Sequence, residues 1–278
     1  MIVVRTRSEL RQTIQGSEIG FVPTMGALHE GHLKLIRKAA EESATTVVSI
    51  FVNPTQFGPQ EDFISYPRDE PRDFELAADA GCDVLFAPTA VELYGNSLTV
   101  VRVEVVSEQF EGTVRPGHFD GVATVVTKLF GLVGPCKAYF GEKDLQQCAV
   151  VSTLVSDLFL PVALHFVPTV REASGLALSS RNTRLNDQQR HQASGLFATL
   201  QEVKARLIER TRIGSVDVKT EITRGVSTLK GLGFEVDYLD IVTFPKMAST
   251  TTIESNTRLI CAVRLAGVRL LDNIPLGS

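Results

Sequence analysis

PTMGALHEGHL, from Pro23 to Leu33, is the stretch that decides how this chain folds. It carries two histidines three apart, His29 and His32, with Gly31 between them. Ile19 to Val22, just before it, is short and apolar, as the end of a buried strand is. After it, Leu33, Leu35, Ile36, Ala39 and Ala40 recur at roughly a helix period as far as Glu42. The histidines therefore stand where a strand hands over to a helix. Backbone N–H groups at a helix start lack intrahelical partners and the dipole there is positive, which suits an anion. Imidazoles add donors that follow charge as it builds on a phosphate. Gly31 clears a side chain where a base or sugar can press on the backbone, and Gly26 lies in the preceding loop. Without that context the pattern is a helix start with two polar residues; the strand–turn–helix order favours a site.

Outward from the turn, the alternation repeats. Residues 45–53 (TTVVSIFVN) predict a buried strand, with a loop from Pro54 that holds Gln56, Phe57 and Gly58. Asp69 to Ala80 predict a helix closed by Gly81, and Asp83 to Ala87 a third strand stopped by Pro88. Residues 99–106 alternate in part and predict an edge strand or hairpin arm. RPGHFDG, Arg115 to Gly121, reads as a turn-rich polar loop before a helix from Val122 to Val133. Strands follow at Lys137 to Phe140 and Val162 to Val167, with a helix from Leu145 to Leu158 between them. This order predicts an α/β fold, a doubly wound parallel sheet. After Gly175 the texture changes. Helices are expected from Asp187 to Arg210 and Ser215 to Leu232, then strands at Glu235–Val242 and Arg258–Leu265. That is a second, smaller α+β domain, with the expected division 1–178 and 179–278.

The composition is that of an ordinary globular chain: 44% hydrophobic and 22% charged over 278 residues, enough for a sizeable core. A net charge of −4 argues against a general nucleic-acid surface but leaves room for a local anion cleft. Cys82, Cys136, Cys148 and Cys261 form no C-x-x-C pair, so they read as thiols of a reducing compartment, with no metal site. Arg5, Arg7 and Glu9 interrupt any apolar leader, and no apolar run reaches the roughly 20 residues of a membrane span. The expectation is a cytoplasmic protein.

Loops at the carboxyl ends of parallel strands gather on one sheet edge, where ligands bind. Four such loops are expected, at 23–32, 53–58, 141–147 and 168–181. They carry His29, His32, Asn53, Gln56, Lys143, Asp144, Gln147, Ser179, Ser180 and Arg181. Lys143 and Arg181 are cations suited to a polyphosphate, and the serines offer hydroxyls. Asp144 reads equally as a ribose acceptor or a plain N-cap. Gln56 and Gln147 are neutral two-way hydrogen bonders that suit a small hydroxylated acid. Taken singly, Lys143 is a solvated charge and Ser-Ser-Arg a linker. There is no Walker A motif, and no G-x-G-x-x-G follows the first strand.

The His-x-Gly-His turn resembles that of the nucleotidylyltransferase superfamily, which includes the class I aminoacyl-tRNA synthetases. PTMGALHEGH, FVNPTQFGP, YPR, RPGHF, GEKDLQQ and LALSSRN, in that order, are similar to the pantoate–β-alanine ligase family over the whole chain, with AGVRLLDN (Ala266 to Asn273) fitting its end. The resemblance implies a Rossmann-like domain with a smaller C-terminal lid, usually as a homodimer. It implies that ATP, with Mg²⁺, activates pantoate as pantoyl adenylate, which β-alanine converts to pantothenate with release of AMP. Carried over by motif, Met25, Gly26, Ala27, Leu28, His29, Glu30, Gly31 and His32 line the nucleotide. So do Gly141, Glu142, Lys143 and Asp144, and Val170, Leu178, Ser179, Ser180 and Arg181 complete its site. Gln56 and Gln147 hold pantoate, Gln56 also lies near β-alanine, and His32 is the residue labelled proton donor. His29, His32, Lys143 and Arg181 are the expected catalytic set. Ser174 stands where the family usually has Asp. The rival readings are an adenylyltransferase acting on a phosphorylated acceptor and a non-enzymatic nucleotide binder on the same fold.

Overall fold

The computed structural model describes residues 1–277 except 17, 60 and 213–216. The chain divides into two compact units, Met1–Glu142 with Gln146–Pro168, and Lys143–Leu145 with Thr169–Ser278. Six strands of the first unit form one wholly parallel sheet: β1 (Ile2–Val4), β2 (Ile19–Thr24), β3 (Thr45–Ile50), β4 (Val84–Phe86), β5 (Cys136–Gly141) and β6 (Val162–Val167). The helices are α1 (Arg7–Thr13), α2 (Glu30–Glu42), α3 (Glu70–Asp79), α4 (Ala90–Tyr94), α5 (Glu111–Val114), α6 (His118–Val133) and α7 (Leu145–Asp157). Alternate residues of β2 face opposite sides of the sheet. Val22 packs with Leu33 and Ile36 of α2, while Phe21 meets Phe130 of α6 edge-on at 6.3 Å. The sheet is thus covered on both faces, as its continuous apolar strands require.

Strand order is β1-β4-β3-β2-β5-β6. From β2 the chain steps outward to β3 and β4, then returns to lay β5 and β6 on the other side of β2. The topological switch point therefore lies between β2 and β5, where open parallel sheets bind ligands. The His-x-Gly-His turn leaves one of these two strands and Gly141-Glu142 ends the other.

Residues 99–106 make no strand. Val101 donates its N–H to Thr124 Oγ1 on α6 at 2.9 Å, residues 104–108 turn, and Val105 takes φ +63°. A side chain satisfies backbone that a ladder would otherwise have paired. The helix expected from Val122 begins four residues earlier, at His118, so half of the RPGHFDG loop is helical.

In the second unit, α8 (Asp187–Arg212) and α9 (Val218–Gly231) pack on an antiparallel sheet. Its strands are β7 (Glu235–Thr243), β8 (Ala248–Ser249), β9 (Thr257–Leu265) and β10 (Val268–Pro275), in the order β10-β9-β7-β8. Leu196, Leu200, Leu207, Leu229, Ile241, Leu259 and Val263 form its core. The expected start of the second helix at Ser215 lies outside the described residues. The division expected after residue 178 falls instead at Pro168/Thr169, because residues 171–177 are tied to β10. Arg171 bridges Ala177 through backbone, and its guanidinium grips Asp272 at 2.6 and 2.7 Å. Lys143–Leu145 also groups with this unit, the Lys143 carbonyl accepting from Asn273 Nδ2 at 3.1 Å.

Candidate active site

The two histidines cap α2 and each other. His29 is the N-cap, and its Nδ1 accepts the Gly31 N–H at 3.1 Å. His32 Nδ1 accepts the His29 N–H at 3.3 Å, closing a capping box made of imidazoles. Both Nδ1 atoms are acceptors, so in each neutral ring the proton sits on Nε2. The rings lie 4.1 Å apart at 33°. A Cβ at residue 31 would lie 2.9 Å from His29 Nδ1 and Cε1, so Gly31 makes room for the His29 ring itself. Glu30, within the expected nucleotide set, turns an exposed carboxylate to Arg37.

Asp73 of α3 holds the loop before the histidines, and sequence reasoning missed it. Its Oδ2 accepts from Ala27 N at 2.8 Å and its Oδ1 from Leu28 N at 2.7 Å. The loop takes left-handed backbone at Gly26 (φ +80°) and Ala27 (φ +51°), and a Cβ at residue 26 would meet Asp73 Oδ2 at 2.8 Å. Burial raises the Asp73 carboxyl above its usual range, against the two N–H bonds that lower it. The signal was there: Asp73, Ala77 and Ala80 share the buried stripe of a helix, and a buried acid needs partners. Asp73→Ala leaves two backbone donors without their acceptor. The expected loss is about 1–3 kcal/mol for each donor left buried and unsatisfied, read by urea unfolding. A variant as stable as the parent would mean that the loop holds itself.

At the end of β3, Asn53 caps a 3-10 turn, Pro54–Gln56. Gln56 is buried; its Oε1 accepts from Asn53 Nδ2 at 3.1 Å and its Nε2 donates to Met25 Sδ at 2.9 Å. This contact brings the expected pantoate residue against the expected nucleotide loop. Of the two glutamines after β5, Gln146 is buried and spends its amide on the 106–111 segment. It accepts from Glu111 N and donates to the Val106 and Gln109 carbonyls. Gln147 is half-buried.

Gly141 and Glu142 belong to the first unit, and the second carries Lys143, Asp144, Val170 and Leu178 to Arg181. Lys143 is half-buried and pairs with Asp144 at 3.3 Å. Val170 and Leu178 are joined by a 2.9 Å backbone bond. Ser179 caps the 3-10 turn Ser180–Arg184, its Oγ accepting from Arg181 N at 3.3 Å, which leaves its O–H free to donate elsewhere. Arg171 and Asp272 anchor this region. Burial raises the Asp272 carboxyl while Arg171 opposes that, and the guanidinium lies 4.0 Å over the Phe197 ring. At Ser174 the hydroxyl accepts from Leu176 N at 3.4 Å, so the turn keeps a side-chain cap. Among the described residues no group of three or more His, Cys, Asp or Glu could hold a metal ion.

The family model described as Pantoate-beta-alanine ligase matches residues 2–275. The chain belongs to the pantoate–β-alanine ligase family. A pantothenate synthetase of Gluconobacter oxydans is 49% identical over 260 residues, 93% of each chain. A pantothenate synthetase crystal structure from Thermus thermophilus matches with a TM-score of 0.94 at 45% identity, over 100% of both chains. A pantoate–β-alanine ligase from Francisella tularensis, complexed with beta-gamma ATP and β-alanine, matches with a TM-score of 0.82 at 33% identity. It spans 99% of this chain and 98% of that one. Family membership makes this chain a ligase.

Proposed function

We propose that this chain condenses pantoate with β-alanine at the expense of ATP, in two steps. A pantoate carboxylate oxygen attacks the α-phosphorus; the new O–P bond forms as the bond to the β-phosphate oxygen breaks, and pyrophosphate leaves. The β-alanine amine then attacks the acyl carbon, the acyl–oxygen bond breaks, AMP departs and the amine proton passes to solvent. The observation that carries this reading is the pair of mutually capped imidazoles at the switch point of the sheet, both with Nε2 as donor. Such donors stabilise charge as it builds on transferring phosphates. Gln56 and Gln147 orient pantoate, and Gln56 also meets β-alanine. Lys143, Asp144, Ser179, Ser180 and Arg181 take polar groups of ATP. The ligands of the Francisella relative support ATP and β-alanine as substrates.

Mg²⁺ enters as part of the substrate, on ATP phosphate oxygens and water. This fits a chain whose described residues offer no acidic cage. No helix of the described residues is long and apolar enough to cross a membrane, and the proposed setting is a homodimer in the cytoplasm.

The test is isotope exchange. With ATP and pantoate but no β-alanine, labelled pyrophosphate should enter ATP, and Gln56→Ala and Gln147→Ala should depress that exchange. Exchange that strictly requires β-alanine would mean a concerted three-substrate reaction. The alternative, an adenylyltransferase acting on a phosphorylated acceptor, would release no free AMP; neutral amides at the acid site favour a carboxylic acid over a phosphate.

A further inference from the structure

We infer that Arg115 and His118, from the RPGHF motif, are positioning residues that aim the Gln56 amide at the acid substrate. The inference rests on the assignment of Gln56 to pantoate.

His118 is buried, with Nδ1 2.8 Å from the Gln56 carbonyl oxygen. A carbonyl only accepts, so Nδ1 carries the proton. Nε2 is then the lone-pair end, and Arg115 Nη1 lies 3.0 Å from it. A guanidinium only donates, so both neighbours select the same tautomer. Burial and the Arg115 charge push the ring down to about 4, so it is neutral at physiological pH. Arg115 is fixed in turn by Glu61, which takes its Nε at 2.7 Å and its Nη2 at 2.6 Å. Arg115 Nη2 adds a second, longer donor to the Gln56 carbonyl at 3.4 Å.

The turn needs this support. Its own backbone bonds are long: Gln56 N to Asn53 O is 3.5 Å and Phe57 N to Pro54 O is 3.3 Å. Helix α6 comes close to it, since a Cβ at Gly121 would lie 2.4 Å from the Thr55 carbonyl oxygen and 2.6 Å from Gln56 Cα. Asn53 Nδ2 closes the other side, donating to the Gly121 carbonyl and to Gln56 Oε1, both at 3.1 Å. Tyr94 holds Asn53 Oδ1 at 2.7 Å. With its carbonyl held by α6 and its Oε1 held by Asn53, Gln56 has one side-chain donor pointed, Nε2 toward a thioether. Sulfur is a weak acceptor, which a substrate hydroxyl or carboxylate readily replaces.

Three His118 variants test this. The Asn amide reaches the position of Nδ1 and restores the donor to Gln56; the longer Gln amide reaches the position of Nε2 and does not. His118→Ala and His118→Gln should raise the KM for pantoate about tenfold, the effect of one lost buried hydrogen bond. The KM for ATP should stay within about twofold, and His118→Asn should recover most of the pantoate affinity. If His118→Ala fails to fold, as read by circular dichroism and melting, the comparison of Asn with Gln decides. An Asn variant no better than Gln, or a shift shared equally by the KM for ATP, would make His118 a packing residue and overturn the inference. Gln56→Ala is the control for the assignment beneath it. A pantoate KM unmoved by Gln56→Ala refutes the role of Gln56 and the inference with it; a KM raised by Gln56→Ala but not by His118→Gln refutes the positioning alone.

Discussion

His32→Asn should keep the fold and lose the reaction. In the native turn His32 Nδ1 accepts the His29 N–H at 3.3 Å, and an Asn carboxamide oxygen reaches the same place. The cap therefore survives, and the expected change in stability is within about 0.5 kcal/mol. Nothing in Asn reaches the position of Nε2, the ring atom that carries the proton. If that N–H meets phosphate oxygen in the transition state, turnover should fall by about 10²–10³, the effect of removing one preorganised donor. His32→Gln is the complement, since its amide reaches the ε position but not the cap. It should lose about 1 kcal/mol of stability and keep more turnover than Asn. The same pair of substitutions at His29, whose Nδ1 caps Gly31, should behave alike. Pyrophosphate exchange and urea unfolding on each variant separate the two effects. Asn variants with normal exchange would remove the imidazoles from the chemistry and leave them as caps.

This mixture of roles was hidden in the sequence for a physical reason. The spacing His-x-x-His, beginning five residues after β2 ends at Thr24, marked the turn, but which ring atom faces the helix depends on χ angles that spacing does not encode. Gly31 was read as room for a ligand, and its Cβ would strike the His29 ring. Local periodicity served well where burial is one-sided and continuous. The helix expected over Asp69 to Ala80 is α3, Glu70–Asp79 with Asp69 as its cap, Gly81 follows it in left-handed backbone at φ +97°, and β6 spans Val162–Val167 as expected. It failed where tertiary partners supply the backbone bonds. Residues 99–106 alternate like a strand, yet Thr124 takes the Val101 N–H and no ladder forms. The β9–β10 hairpin turns on Ala266-Gly267, both with positive φ, so VRLLDN became a strand that delivers Asp272 and Asn273 to the Lys143 loop. No short-range pattern in GEKD shows that Lys143 groups with the last strand of the chain. The candidate site was legible as a set of motifs, because each motif is local. The residues that hold it, Asp73, His118 and Asp272, were not, because each acts 45 or more residues away in sequence.

Lys143→Ala should lower turnover by about 10² or more while moving the KM for ATP much less. The structure makes this a clean removal of charge. The Lys143 backbone is held from outside its own side chain, by Asn273 Nδ2 on its carbonyl, so truncation leaves the loop in place. Its ammonium is half-buried and pairs at 3.3 Å with Asp144, whose carboxylate is itself about half-exposed. A fixed cation of this kind gains most when negative charge grows at a leaving group, which is pyrophosphate in the proposed adenylation. Ground-state ATP already spreads its charge over many oxygens and water. Arg181 stands on a similarly fixed backbone, its N–H bound to Ser179 Oγ at 3.3 Å, so Arg181→Ala should show the same division. Lys143→Arg should not rescue, because a planar fork does not replace a compact ammonium at one position. Single-turnover adenylation with saturating ATP reads the step directly. An increase confined to the KM for ATP, with the single-turnover rate unchanged, would place both cations on ground-state phosphate and leave the developing charge to the imidazoles alone.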